Sequence, residues 1–343
     1  MINDNLPENI IVVKKKWFKR PLFYVLLIIA LGIGYFSYVL GLAYNTVVIE
    51  NNSSSGNVEA LPSQSKRDEL LYPMPSPDPT RYNILILGNS VGRTDGPEQD
   101  TGALLTDSIQ VLSIDKKTNK GALISIPRDL YIDMFGIKGK INAVYVIGLE
   151  RKEAIPLTSQ IISRIVGVHI DKTIVFDLDS FKDIVDSLGG IDVYLDKPFT
   201  ESTQWTYPFS LPAGKNHLDG QQALYYVRSR YSSNDFDRSR RQQQIMVAIK
   251  NKALSLGLLS NPVKIKNLTD SVKGNIRTDF QIWDINNLLT LARIFSRSDA
   301  IKNYIISTEN LVDQSKTPGG EFILLPKNGN FNGIQELFKN ILN

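Results

Sequence analysis

The chain has no cysteine and only two histidines, His169 and His217, among 343 residues. The first absence excludes a disulfide framework, a thiol nucleophile and a thiolate metal site, and the second excludes a multi-histidine metal centre. Any broad imbalance of charge is also missing. Formal net charge is +4, but setting aside Lys14, Lys15, Lys16, Lys19 and Arg20, with Asp4 and Glu8, leaves 34 basic residues against 33 acidic ones. A nucleic-acid-binding domain is normally basic over a whole face, so that class fits poorly. There is no internal repeat.

What is present begins at the N-terminus. The basic cluster Lys14-Lys15-Lys16-Trp17-Phe18-Lys19-Arg20 is followed by Pro21 and then by no charged residue until Glu50. Residues 22–44 are long enough to span a bilayer as a helix, which takes about 20 residues, and the preceding cations hold the N-terminus in the cytoplasm. A cleavable signal peptide is the competing reading. Its apolar core would be shorter, and Tyr35, Phe36, Tyr38 and Tyr44 stand where small cleavage-site residues belong. The expected organisation is a cytoplasmic basic tail (1–21), an uncleaved transmembrane anchor (22–44), a flexible extracytoplasmic linker (45–80) and one extracytoplasmic domain (81–343). The linker is read from Ser53-Ser54-Ser55-Gly56 and the spaced prolines Pro73, Pro75, Pro77 and Pro79, a composition that buries too little apolar surface to order itself.

Within the domain, residues 82–87, 109–114 and 122–126 are short β-rich runs bounded by turn residues, and 115–121 is short enough to join the last two as a hairpin. A helical run at 159–166 precedes a strand at 173–176. A second helix, 180–188, stops at Gly189-Gly190, and 191–195 is again a strand. Residues 278–284 read as the start of a helix reaching about 295, 321–326 as a closing strand and 334–342 as an amphipathic helix. Helices alternating with strands imply a sheet covered on both faces. The expected fold is α/β, a three-layer α-β-α sandwich around a mixed central sheet, preceded by one transmembrane helix.

Between Gln221 and Gln243 the chain places Arg228, Arg230, Arg238, Arg240 and Arg241, and no lysine. A guanidinium is favoured over an ammonium where forked hydrogen bonding to phosphate or carboxylate is needed. A solvated helix face is the plainer alternative, but Asp235 and Asp237 are too few to pair five arginines. The cluster reads as an anion site.

In order along the chain stand Asn83-Ile84-Leu85-Ile86-Leu87-Gly88, Leu105-Thr106-Asp107-Ser108, Ser125-Ile126-Pro127-Arg128-Asp129, Lys140-Ile141-Asn142-Ala143, Val185-Asp186-Ser187-Leu188-Gly189-Gly190-Ile191, Leu218-Asp219-Gly220-Gln221-Gln222-Ala223-Leu224, Tyr226-Val227-Arg228-Ser229-Arg230 and Arg238-Ser239-Arg240-Arg241-Gln242-Gln243. Single motifs of this set are weak signals. Eight in unbroken order, with the single-pass anchor, resemble the LytR-CpsA-Psr (LCP) family. The resemblance implies an extracytoplasmic phosphotransferase that moves a glycopolymer from a polyprenyl-diphosphate carrier onto a cell-wall hydroxyl, usually on peptidoglycan, assisted by Mg²⁺. It places Asp107, Arg128, Arg228, Arg230, Arg238 and Gln242 on the family's pocket positions, with Asp107 as metal ligand and Asp107 and Arg128 as catalytic residues.

The residue types make chemical sense of that implication, because phosphoryl transfer needs mainly positioning and charge stabilisation. Arg228 and Arg230 face the same way if the segment is extended after its helix. Arg238, Arg241 and Gln242 are spaced to share a helix face, which adds Arg241 to the expected diphosphate ligands. Mg²⁺ takes one or two carboxylates plus phosphates and waters, so a lone Asp107 is sufficient. Two positions depart from the family. Ser90 stands where many members have an Asp, a role that Asp95 or Asp100 could take over, and Leu105 stands where many have an Arg. Two other readings compete. One is a non-catalytic lipid-diphosphate sensor or scaffold of the cell envelope. The other is a serine hydrolase built on Gly88-Asn89-Ser90-Val91-Gly92, whose base would be His169 or His217.

Overall fold

The computed structural model describes residues 68–89, 105–231, 233–257, 276–280 and 301–343. The expected basic tail and anchor, the linker up to residue 67, and the expected helix beyond residue 280 lie outside them. Among the described residues no helix is long and apolar enough to cross a membrane.

In chain order the strands and helices are β1 (Arg81–Asn89), β2 (Thr106–Asp115), β3 (Gly121–Ser125), β4 (Tyr131–Met134), β5 (Ile137–Lys140), α1 (Val144–Glu150), α2 (Ala154–Val166), β6 (Lys172–Phe176), α3 (Leu178–Ser187), β7 (Ile191–Leu195), β8 (Phe199–Glu201), β9 (Phe209–Leu211), β10 (Gly214–Leu218), α4 (Gly220–Arg228), α5 (Asp235–Ser255), β11 (Ile276–Thr278), β12 (Ile301–Ile305), β13 (Val312–Lys316), β14 (Phe322–Pro326) and α6 (Asn332–Asn340). Six strands form one sheet in the order β11-β6-β1-β2-β3-β12. The pairs β1–β2, β2–β3 and β6–β11 are antiparallel, and β1–β6 and β3–β12 are parallel, so the sheet is mixed as expected. Thr278, expected to cap a helix, ends the edge strand β11 and accepts the Phe280 N–H at 3.2 Å.

Strand alternation divides the core. Leu85, Leu87, Ile109, Val111 and Ile124 face the side covered by α1, α2 and α6. Ile84, Ile86, Leu112, Ile114 and Leu123 face the other side, where Met246 of α5 packs. Both faces of β1 are therefore apolar, which is why its sequence is an unbroken hydrophobic run rather than an alternating one. A further apolar cluster joins α3, α4 and α5 to β7, β9 and β10. Gln243 sets the seating of α5: its amide, on a residue 4% exposed, donates to the carbonyls of Leu123 and Tyr304 and to Ser125 Oγ at 2.8–3.2 Å. A long helix is thereby fixed in register against the ends of β3 and β12.

Residues 68–80, assigned from composition to the linker, are described as part of the domain. Asp68 accepts the Phe135 N–H at 2.7 Å. Glu69 meets both terminal nitrogens of the buried Arg164, at 3.0 and 2.9 Å. Arg164 also donates to the Tyr72 carbonyl and lies 4.4 Å from the Phe135 ring centre, and the Tyr72 ring packs on Phe331. The forked contact with Arg164 holds the Glu69 carboxyl below its ordinary range, against a smaller opposing effect of burial. A group depressed in this way stabilises the fold above its unfolded pKa and loses that contribution as pH falls through the folded value. A domain beginning at Arg81 is therefore expected to be less stable than one beginning just before Asp68. The loss, read by urea unfolding, should be on the order of 1 kcal/mol from the charged contact, since the Glu69 carboxylate is half exposed and screened by solvent. Glu69→Gln should remove the corresponding part of the acid limb of stability. Identical unfolding of the two fragments would show that the clasp is inert.

Candidate active site

The site lies where β1 ends, β2 begins and α5 starts. Pairing between β1 and β2 slips there: Gly88 stands opposite Ser108 but Asn89 stands opposite Thr106. Asp107 is the residue skipped, and such a bulge turns its side chain out of the regular ladder. Gly88 permits the close approach, since a Cβ on it would lie 3.1 Å from Ser108 Cβ.

Arg128, just past β3, is bound to Asp107 at 2.6 Å and to Asp235 at 2.9 Å, with Asp129 at 3.6 Å. Burial works to lower its pKa, but those three carboxylates together raise it above the ordinary arginine value. Asp235 is in the first turn of α5, where a carboxylate is favoured by the helix dipole, and Asn234 caps that helix by accepting the Asp237 N–H at 2.8 Å. Arg238, one turn along and 5% exposed, donates to the Asp107 carbonyl and approaches Asp235, both at 3.4 Å. Burial pushes its guanidinium down while Asp235 and Asp107 pull it up, and its Nε has no hydrogen-bond partner among the described residues. Lys140 bridges Asp129 at 3.1 Å and Glu321 at 3.0 Å.

Arg228 ends α4, and Ser229 follows in an extended conformation (φ −56°, ψ 129°). Only Ser229 separates the helical Arg228 from Arg230, and Arg230 is close enough to both Arg228 and Arg238 for its charge to lower their pKa values. A side chain that sequence reasoning did not single out holds this segment. Gln204, in the β8–β9 turn, donates to the Arg228 carbonyl at 3.0 Å and accepts the Arg230 N–H at 2.7 Å. Its neighbour Trp205 donates to Ser229 Oγ at 3.1 Å, and the Arg228 guanidinium carbon lies 5.6 Å from the indole ring centre.

Arg241 is placed differently from the expectation. Its guanidinium is buried, with Nε on the Tyr226 carbonyl at 2.8 Å, one terminal nitrogen on Ser233 Oγ at 3.0 Å and the other on the Ser229 carbonyl. It closes the C-terminal carbonyls of α4 instead of facing the cleft. The reason is helical: Gln242 and Arg241 are 100° apart, so when Arg238 and Gln242 face the site, Arg241 turns toward α4. Arg240 is exposed and paired with Asp237.

Two hollows meet here. One, of about 430 Å³, sets the charged groups of Arg128, Asp129, Lys140, Asp235 and Arg238 among apolar wall residues. The other is a narrow apolar cavity walled by Ile86, Phe176, Phe181, Leu224, Val227 and Met246, with Arg228 at its edge. Asp107, Ser108 and Gln242 border both. Among the described residues no three carboxylates or histidines converge as a ready-made metal site. A divalent cation here would use Asp107 and complete its shell from substrate oxygens and water, which suits Mg²⁺. Ser90, Asp95 and Asp100 lie outside the described residues. The strand ends at Asn89, however, and His169 sits beyond the opposite end of it: Lys172 pairs with Ile84, and the His169 carbonyl binds Asn83. At ~3.3 Å per residue that puts His169 on the order of 20 Å from Asn89. His217 is bound to Asp192 at 2.8 Å on a separate two-stranded sheet. Neither histidine borders the two hollows.

The model of the LytR_cpsA_psr family matches residues 44–324. The chain belongs to the LytR-CpsA-Psr family. Among its relatives, the polyisoprenyl-teichoic acid–peptidoglycan teichoic acid transferase TagV of Bacillus subtilis is 29% identical over 318 residues, covering 90% of this chain and 72% of that protein. The transferase TagU of Oceanobacillus iheyensis is 31% identical, covering 80% and 79%. The crystal structure of B. subtilis TagV superposes with a TM-score of 0.57 at 27% identity, over 77% of this chain and 98% of that one. A Streptococcus agalactiae structure, gbs0355, shares the fold with a TM-score of 0.62 at 22% identity, over 77% and 88%.

The two kinds of arginine separate experimentally. Arg241→Ala leaves buried carbonyls without their donors and should cost about 3 kcal/mol in urea unfolding, whereas Arg230→Ala, at an exposed side chain, should stay within about 0.5 kcal/mol. Equal stabilities for the two variants would show that the Arg241 contacts contribute nothing.

Proposed function

We propose that the chain is a membrane-anchored transferase that moves a glycopolymer from a polyprenyl-diphosphate carrier to a peptidoglycan hydroxyl. The observation that carries the reading is the meeting of an apolar cavity and an arginine-lined cleft at Asp107, Ser108 and Gln242. A lipid diphosphate needs an apolar groove for its tail beside cations for its phosphates. The names of TagV and TagU describe the transfer of a polyisoprenyl-linked teichoic acid to peptidoglycan in those relatives.

In the proposed reaction the acceptor hydroxyl oxygen attacks the phosphorus attached to the glycan. The bond from that phosphorus to the bridging oxygen breaks, and the carrier leaves as its monophosphate while the hydroxyl proton passes to solvent or a site carboxylate. The product is a phosphodiester. Arg128, Arg228, Arg230 and Arg238 stabilise the charge on the phosphate oxygens, and Gln242 orients them; forked donors in a site shielded from water are effective for this. Asp107 would hold Mg²⁺, which supplies further neutralisation of the phosphates when bound. Arg128 is shared between Asp107 and Asp235, so it is already positioned before substrate arrives.

Asp107→Ala should abolish formation of the phosphodiester product from lipid-linked donor and glycan acceptor, and remove any Mg²⁺ dependence, with the domain still folded by circular dichroism. Undiminished transfer would remove Asp107 from the site. A wild-type protein that binds the lipid diphosphate yet never yields product would be a sensor or scaffold instead.

The anchor proposed at residues 22–44 confines the domain to the surface that carries its lipid substrate, a gain in effective concentration with no new contact. A soluble domain starting before Asp68 should turn over short-chain analogues like the full chain but work poorly on vesicle-borne donor. A foreign transmembrane helix should restore it. Equal rates on vesicles for the soluble and anchored forms would defeat the membrane argument.

A further inference from the structure

The charged cleft is bordered by the β13–β14 hairpin, which carries none of the motifs that identify the family. Its register sets Gln314 opposite Leu324 and Lys316 opposite Phe322, so these four side chains share one face of the hairpin. Leu324 anchors that face: it is buried, its N–H donates to the Asp129 carbonyl at 2.9 Å, and it bridges to Leu130 beside Arg128. Gln314, Phe322 and Leu324 border the cleft itself. Phe322 is 42% exposed and is the one phenylalanine among the exposed large apolar side chains of the described residues. Next to it, Glu321 binds Lys140, which in turn binds Asp129.

A ring without a polar atom, left open to solvent at the wall of a charged cleft and flanked by an amide, a carboxylate and an ammonium, is matched to one kind of ligand surface. A pyranose presents an apolar face of C–H groups rimmed by hydroxyls. The ring covers the face, and the polar groups take the rim. We propose that Phe322 is the platform of a sugar subsite in this cleft, with Gln314 and the Lys140–Glu321 pair as its polar rim. The proposal rests on reading the cleft as the seat of phosphoryl transfer. With the lipid tail in the apolar cavity, two groups remain that extend toward β13–β14. They are the first sugar on the far side of the diphosphate and the acceptor sugar bearing the attacking hydroxyl. Both are pyranose rings, and the experiment tells them apart.

The test uses the full chain, a lipid-linked glycan donor, a peptidoglycan oligosaccharide acceptor and a lipid diphosphate without sugar. Phe322→Ala should raise the KM of donor or acceptor by about fivefold, as expected for loss of an aromatic contact, with kcat within about twofold. Phe322→Trp, which keeps a stacking face, should stay near wild type, and the sugar-free lipid diphosphate should bind both variants unchanged. A rise in donor KM assigns the first sugar of the carrier, and a rise in acceptor KM assigns the attacking sugar. Unchanged KM values for both, or a tryptophan variant as impaired as alanine, overturns the subsite. Arg238→Lys in the same assays reports on the underlying reading. If it weakens binding of the sugar-free lipid diphosphate while Phe322→Ala has no effect, only the sugar subsite falls. If it leaves that binding intact, the diphosphate assignment falls, and the sugar subsite with it.

Discussion

One guanidinium joins the parts of the molecule that make the site. Arg128 leaves the end of β3, holds Asp107 at the bulge of β2 and grips Asp235 in the first turn of α5. Remove it and the ends of β2 and β3 lose their side-chain link to the first turn of α5, leaving Gln243 to hold the helix further along. A lysine in its place could satisfy one carboxylate at a time but not both from fixed directions. The cluster has a cost, because several charges are withdrawn from water together. That cost is offset partly by the carboxylates now present. A diphosphate entering the cleft would find cations already desolvated and oriented, so little of its binding energy would go into arranging them.

How far the sequence disclosed this arrangement varies with the kind of force involved. β1, β2 and β3 were legible because their apolar runs are long and bounded by turn residues, and burial on both faces leaves no other use for such runs. The cap read at Thr278 leads into residues outside the described ones, and the short edge strand Ile276–Thr278 before it was missed because it takes its identity from pairing with β6 rather than from its own pattern. β13 (VDQSK) has no strand-like alternation at all and exists because β14 supplies its partner. The boundary at residue 81 was read from prolines. The contacts of Glu69 and Tyr72 with Arg164, more than 90 residues later, leave no local trace.

The site shows the same division. Spacing placed Arg228 and Arg230 on one side only if the chain is extended there, and the helix in fact runs through Arg228 and gives way at Ser229. Spacing also grouped Arg241 with Arg238, and there a shared helical stripe about 100° wide was too coarse to say which edge faces the cleft. Gln204 was beyond reach, because its whole contribution is to two backbone groups some 25 positions away. Asp107 was found through a motif, but the reason it projects is a slip in register between two strands, and no one-dimensional pattern records a slip.

The Arg241 brace lies behind the arginines of the site. The link between α4 and α5 carries Arg228 and Arg230 at one end and leads to Arg238 at the other, and an internal cation already binds the carbonyls of Tyr226 and Ser229 along it. One arginine of α5 is thus used to join two helices, and the fold and the charge of the cleft rest on different residues of the same helical turn.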